Sequence, residues 1–110
     1  MDKACTLKAA QQTVDDWVQQ FQKPYFDPLS CLACLIEEVG ELARILNRLY
    51  GDKGAKTDED LKNLEDEIGD LLFSIICLAN RENIDLEAAF RRNMDKNTNR
   101  DTDRFEKTAQ

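Results

Sequence analysis

The chain contains no histidine, and its 110 residues include only two prolines, four glycines and one tryptophan. Without histidine it lacks the usual general base near neutral pH, the commonest zinc ligand and any Ser-His or Cys-His nucleophile system. Acid–base work therefore falls to carboxylates, lysines or metal-activated water. The scarcity of proline and glycine leaves room for long helices. No apolar run is long enough to span a bilayer: the longest, Ile75-Ile76-Cys77-Leu78-Ala79 after Leu71-Leu72-Phe73, is broken by Ser74. Met1-Asp2-Lys3 opens the chain with no apolar leader, which sets a cytoplasmic expectation. Positive charge is also short: 15 Lys and Arg stand against 22 Asp and Glu, a net charge of −7. That balance disfavours a nucleic-acid duplex, but admits a small phosphorylated ligand if cations screen the acids. Cys31-x-x-Cys34 has no second pair and no βαβ context. Together with Cys5 and Cys77, these cysteines read as small packing residues in a reducing compartment.

What is present reads as one soluble all-α domain, residues 1–110, with an ordered core over about 6–98 and a polar tail. The spacing predicts a first helix over residues 6–21, with Thr6 as N-cap and Val14, Trp17, Val18 and Phe21 recurring at helical intervals. Asp27-Pro28 opens a second, in which Leu32, Leu35, Val39, Leu42, Leu46 and Leu49 fall on one face until Gly51. The stretch 51–56 is a polar loop without P-loop spacing. Thr57, with Asp60 three residues on, starts a third helix that runs to about residue 80. Its second half is apolar on nearly every side, which predicts a homo-oligomer with this helix at the interface. Asp85 caps a fourth helix reaching about residue 97, with Leu86, Ala89, Phe90 and Met94 expected inward. Phe105 is the one residue placed to anchor the tail.

Two acidic groups interrupt these apolar stripes: Glu37-Glu38-x-x-Glu41 and Glu67-x-x-Asp70. With successive residues turning by about 100°, Glu38 lies about 60° from the Leu35 stripe, in line with Ile45 and Leu49, and is expected to be half-buried. Glu41 sits beside it and Glu37 further round. Glu67 and Asp70 share a face that Ser74 and Cys77 continue with small side chains. Carboxylates beside a core are costly unless neutralised. Several together suit a hard divalent cation, Mg²⁺ above all where phosphate is the ligand. The alternative is a pair of solvated acidic faces. Against these acids stand Arg91, Arg92, Lys96 and Arg100, which suit either a solvated helix end or a phosphate clamp.

Together these residues resemble the MazG-like nucleotide pyrophosphohydrolases of the all-α NTP pyrophosphohydrolase superfamily. The pattern E-E-x-x-E, a spacer, then E-x-x-D stands here within Leu35-Ile36-Glu37-Glu38-Val39-Gly40-Glu41-Leu42-Ala43 and Asp66-Glu67-Ile68-Gly69-Asp70-Leu71-Leu72. Asp16-Trp17 to Phe21 is similar to the aromatic first helix of relatives, and Tyr25-Phe26-Asp27-Pro28-Leu29 to a small single-domain bacterial type. The resemblance implies a four-helix bundle that works as a homodimer or homotetramer. It implies Mg²⁺-dependent hydrolysis of a nucleoside triphosphate between the α and β phosphates, with Mn²⁺ able to substitute, giving the monophosphate and pyrophosphate. It makes Glu37, Glu38, Glu41, Glu67 and Asp70 metal ligands, with Glu38, Glu41, Glu67 and Asp70 the catalytic set. Lys96 and Arg100 match its phosphate-binding positions. Many relatives carry Asn where Met94 stands and Phe or Tyr where Asn97 stands. Trp17 and Phe21 are the base-stacking residues expected, with Tyr25 and Phe26 as alternatives and a core role for Trp17 equally open. Two other readings compete: a non-enzymatic helical interaction or regulatory module, and a phosphoribosyl-ATP pyrophosphohydrolase-like enzyme. Neither a membrane nor a nucleic-acid duplex is an expected partner.

Overall fold

The computed structural model describes residues 5–51, 57–106 and 108. Its elements are four α-helices, α1 (Leu7–Val18), α2 (Pro28–Tyr50), α3 (Asp58–Arg81) and α4 (Leu86–Asp101), with no strand among the described residues. Most of the loop expected at 51–56 lies outside the described residues.

Each helix starts where a side chain can satisfy its unpaired N–H groups. Thr6 accepts from the Ala9 amide, Asp27 from Ser30, Thr57 from Asp60 and Asp85 from Ala88. Pro28 occupies the first turn of α2, where no amide is needed. At the end of α2, a Cβ on Gly51 would collide with the Asn47 carbonyl, so only glycine lets the chain turn there. Two residues past the end of α3, Asn83 takes a left-handed φ of 56°. The following amide, Ile84, donates back to Ala79 O at 2.8 Å, a C-terminal lock that asparagine tolerates.

α2 and α3 form the main antiparallel pair, while α1 packs on α3 and α4. The tie among the last three is polar. Gln11 Nε2 donates to Asn80 Oδ1 (2.9 Å) and to Ile84 O (2.8 Å), and Gln11 Oε1 accepts from the Leu86 amide (2.9 Å). Asn80 Nδ2 donates to Gln11 O and to Tyr25 Oη, each at 3.0 Å. The Tyr25 hydroxyl donates to Asp15 at 2.6 Å. Burial and that bond to Asp15 push the Tyr25 phenol up to about 12, while the same bond lowers Asp15.

Three expectations change. α1 ends at Val18, and residues 19–23 form turns rather than a last helical turn. α2 keeps half of the predicted core stripe: Leu49 is buried and Leu35 and Leu42 half-buried, beside buried Cys31 and half-buried Glu38 and Ile45, while Leu32, Val39 and Leu46 are exposed. α2 is apolar on two faces, and the face with Glu38 is the one that packs on α3. On α4, which extends to Asp101, Phe90 and Met94 are exposed rather than inward, and Phe105 is exposed with the Arg104 guanidinium over its ring.

The buried apolar core among the described residues is small: Val18, Cys31, Leu49, Ile76 and Ala79. Its radius of gyration is 17.5 Å, against about 13 Å for a compact domain of this length.

Candidate active site

The α2–α3 pairing brings the two acidic motifs face to face. Glu38 of α2 and Glu67 and Asp70 of α3 each offer a carboxylate oxygen within 4.8 Å of the others. Helical geometry explains the trio: Glu67 and Asp70 lie one turn apart on one face, and Glu38 shares the Ile45–Leu49 line that faces them. Glu67 is buried, only 7% exposed, and its Oε1 has no hydrogen-bond partner among the described residues. The neighbouring Glu38 carboxyl, then burial, then the charges of Glu38 and Asp70 push the Glu67 carboxyl up to about 7. A buried acceptor without a donor, among three converging carboxylates, calls for either a shared proton or a cation. The donor set is all oxygen, as a hard cation such as Mg²⁺ prefers.

A cleft of about 320 Å³ opens beside this trio, lined by its Glu67 and Asp70 but not by Glu38. α2 lines it with Glu41, Arg44, Ile45 and Arg48, and α3 with Asp60, Asn63, Asp66, Glu67 and Asp70. Glu41 is exposed and accepts from Arg44 Nη2 at 2.9 Å and Nε at 3.2 Å. Asp60, read from sequence as cap or surface charge, is buried and does two things. It closes the capping box with Thr57 (Oγ1 to Oδ2, 2.8 Å) and pairs with Arg48 Nε at 3.2 Å. Glu37 is exposed and lies outside both the trio and the cleft lining.

A second cavity, of about 380 Å³, is aromatic and mostly apolar. Trp17, Phe21, Tyr25, Phe26 and Phe73 line it, with Cys31 and Cys77. Trp17 stands edge-on to Phe21 (5.0 Å between centroids) and to Phe73 (5.9 Å). Trp17 is 53% exposed, so it forms a rim rather than part of the core. A smaller cavity of about 120 Å³, lined by Phe26, Cys31, Cys34, Phe73, Ser74 and Cys77, continues this pocket toward the acids. Cys34 is one turn before Glu38, and Ser74 one turn after Asp70. Burial raises the Cys31 and Cys77 thiols, the latter to about 11. Both are therefore held as neutral thiols, packing groups rather than nucleophiles.

Lys96 and Arg100 lie exposed on α4 and line neither cavity, and Arg100 pairs with Asp101 at 3.0 Å. The single chain does not bring them to the carboxylates. The reading of motifs missed Arg44, Arg48, Asn63 and Phe73. For the arginines a signal existed: they follow Glu41 by three and seven residues, on the same helical face.

This architecture, two antiparallel helices presenting E-E-x-x-E and E-x-x-D across one cleft beside an aromatic pocket, is that of the all-α nucleotide pyrophosphohydrolases. The chain belongs to the MazG nucleotide pyrophosphohydrolase domain family, which it matches over residues 26–105, and with it to the hydrolases that act on nucleotides. It is 50% identical over 100 residues to the uncharacterized protein YpjD of Bacillus subtilis (strain 168), covering 91% of this chain and 90% of that one. Its fold is similar to the crystal structure of the Bacillus-conserved MazG protein, a nucleotide pyrophosphohydrolase, with a TM-score of 0.78 and 45% identity over 94% of this chain and 99% of that one. The crystal structure of YpjD from Bacillus subtilis gives a TM-score of 0.78 at 49% identity, covering 86% and 96%.

Proposed function

We propose that this protein hydrolyses nucleoside triphosphates between the α and β phosphates in a Mg²⁺-dependent reaction, releasing the monophosphate and pyrophosphate. The observation that carries the reading is the unpartnered buried Oε1 of Glu67 among three carboxylates within 4.8 Å. Glu38, Glu67 and Asp70 would hold the ion, with Glu41 a further acid of the same cleft. When bound, Mg²⁺ offsets charge on phosphate oxygens and lowers the pKa of water, and Mn²⁺ can supply the same chemistry. The chain supplies the rest. The aromatic pocket takes the base by stacking on Trp17 and Phe21. The carboxylates fix the scissile bond over the cleft, and one of them orients the attacking water and accepts its proton. Lys96 and Arg100 reach phosphate only if another copy of the chain, or movement of α4, brings them to the cleft. The test is pyrophosphate release from a panel of nucleoside triphosphates with and without Mg²⁺. The wild type should release it only with the ion, and Glu38→Gln and Asp70→Asn should abolish release while staying folded. Undiminished turnover in those variants would sink the assignment.

The working form is a homo-oligomer. The single chain exposes 9055 Å², where a compact monomer of its mass exposes about 6,200 Å². Leu61, Ile68, Leu72 and Ile75 make an exposed apolar line along α3, the helix expected at the interface. No helix among the described residues is long and apolar enough to cross a membrane, and a cytoplasmic site of action suits a nucleotide substrate.

A further inference from the structure

We infer that Arg44 and Arg48 form the seat of the departing pyrophosphate, a role that rests on the hydrolase reading above. The two are the cations that line the carboxylate cleft among the described residues. Their place follows from the order of groups along the α2–α3 groove. Moving along α2 and backward along α3, Cys31 and Cys77 border the aromatic pocket, Cys34 and Ser74 the small cavity beyond it. Glu38 with Asp70 follows, and Arg48 with Asp60 closes the far end. A nucleotide with its base among the aromatics and its α phosphate at the carboxylates must extend its β and γ phosphates toward the arginines. At about 1.5 Å per residue, Arg44 is about 9 Å and Arg48 about 15 Å beyond Glu38 along the axis. Side chains on a helix lean toward its N-terminus, which on α2 is back toward Glu38. Two long arginine stems therefore span the length of a diphosphate.

The local chemistry suits that use. Asp60 is buried and fixed by Thr57, and it holds Arg48 through Nε. The Nη groups carry the remaining donors, which suit two-point binding of phosphate oxygens. Arg44 is paired with Glu41 in a contact where both side chains are more than half exposed, a pair of little net strength. Glu41 can turn to a cation and Arg44 to phosphate without loss. A guanidinium cannot deprotonate, so both charges persist as negative charge grows on the leaving group. A helix-end role for Arg48 would need neither Asp60 nor the cleft, and the test separates the two.

The probe is inorganic pyrophosphate with Mg²⁺, titrated calorimetrically into the full chain and into Arg44→Met and Arg48→Met. Arg44 is exposed in a weak surface pair, so Arg44→Met should melt near the wild type; Arg48→Met leaves buried Asp60 without its counter-charge, so its affinity is measured well below its own melting temperature. Each should bind pyrophosphate at least about tenfold more weakly, the loss of one charge-assisted contact, while a nucleoside monophosphate binds as before. Unchanged pyrophosphate affinity in both variants, or a wild type that does not bind pyrophosphate, overturns the inference. The readout is equilibrium binding. Arginine-dependent pyrophosphate binding in a chain without turnover would therefore count against the hydrolase assignment while leaving this seat in place.

Discussion

Glu67 sits where a carboxylate is least comfortable without a counter-charge: buried, against Glu38 and near Asp70, with one oxygen unpartnered. Its carboxyl is pushed from an ordinary 4.5 to about 7. The folded, metal-free protein thus binds a proton at Glu67 that the unfolded chain has already lost between those values. The stability that Glu67 contributes therefore falls as pH rises from about 4.5 to about 7 and then levels off. Thermal melts in a chelator should show this fall in the wild type, and Glu67→Gln should flatten it. Excess Mg²⁺ should offset it above pH 7, because the ion replaces the proton. In catalysis the same substitution should cost on the order of 10²-fold or more in pyrophosphate release. The half-burial of Glu38 and the shared face of Glu67 and Asp70 were legible from helical angles alone. Arg44 and Arg48 carried a weaker signal, a shared face with Glu41, because Arg44 three residues from that glutamate reads equally well as an ordinary surface pair.

At the scale of elements, all four N-caps were legible: Thr6, Asp27, Thr57 and Asp85 each accept from an amide three residues on. Capping is a local event, decided by one side chain and the next turn. The packing face of α2 was legible only in half, Leu35, Leu42 and Leu49 but not Leu32, Val39 and Leu46, because two apolar lines run along the helix and only the partner helix chooses between them. Thr57→Ala removes the cap of α3 and the bond that fixes Asp60, and should lower stability by about 1 kcal/mol in chemical denaturation. The network through Gln11, Asn80 and Tyr25 joins α1, α3 and the start of α4. Asn80→Ala leaves several of those groups unpaired and should cost about 1–3 kcal/mol, with hydrogen exchange rising first at the α3–α4 turn.

The molecule as a whole is more extended than its length requires and exposes apolar residues along α2, α3 and α4. The all-round greasiness of 71–79 was legible in the sequence, and Leu72, Phe73 and Ile75 of that stretch are exposed. Light scattering should give a mass that is a multiple of 12.6 kDa. Ile68→Glu, a charge placed in the exposed line of α3, should shift that mass toward the single chain. The central proposal is narrower: the carboxylate cleft hydrolyses the bond between the α and β phosphates of a nucleoside triphosphate. The measurement that meets it most directly is hydrolysis with Mg²⁺ in ¹⁸O-labelled water, followed by mass analysis of both products. The expected products are nucleoside monophosphate and pyrophosphate in equal amounts, one of them carrying the label, with both slowed on the order of 10²-fold or more in Glu67→Gln. Release of orthophosphate and a nucleoside diphosphate, or undiminished turnover in Glu67→Gln, would contradict it.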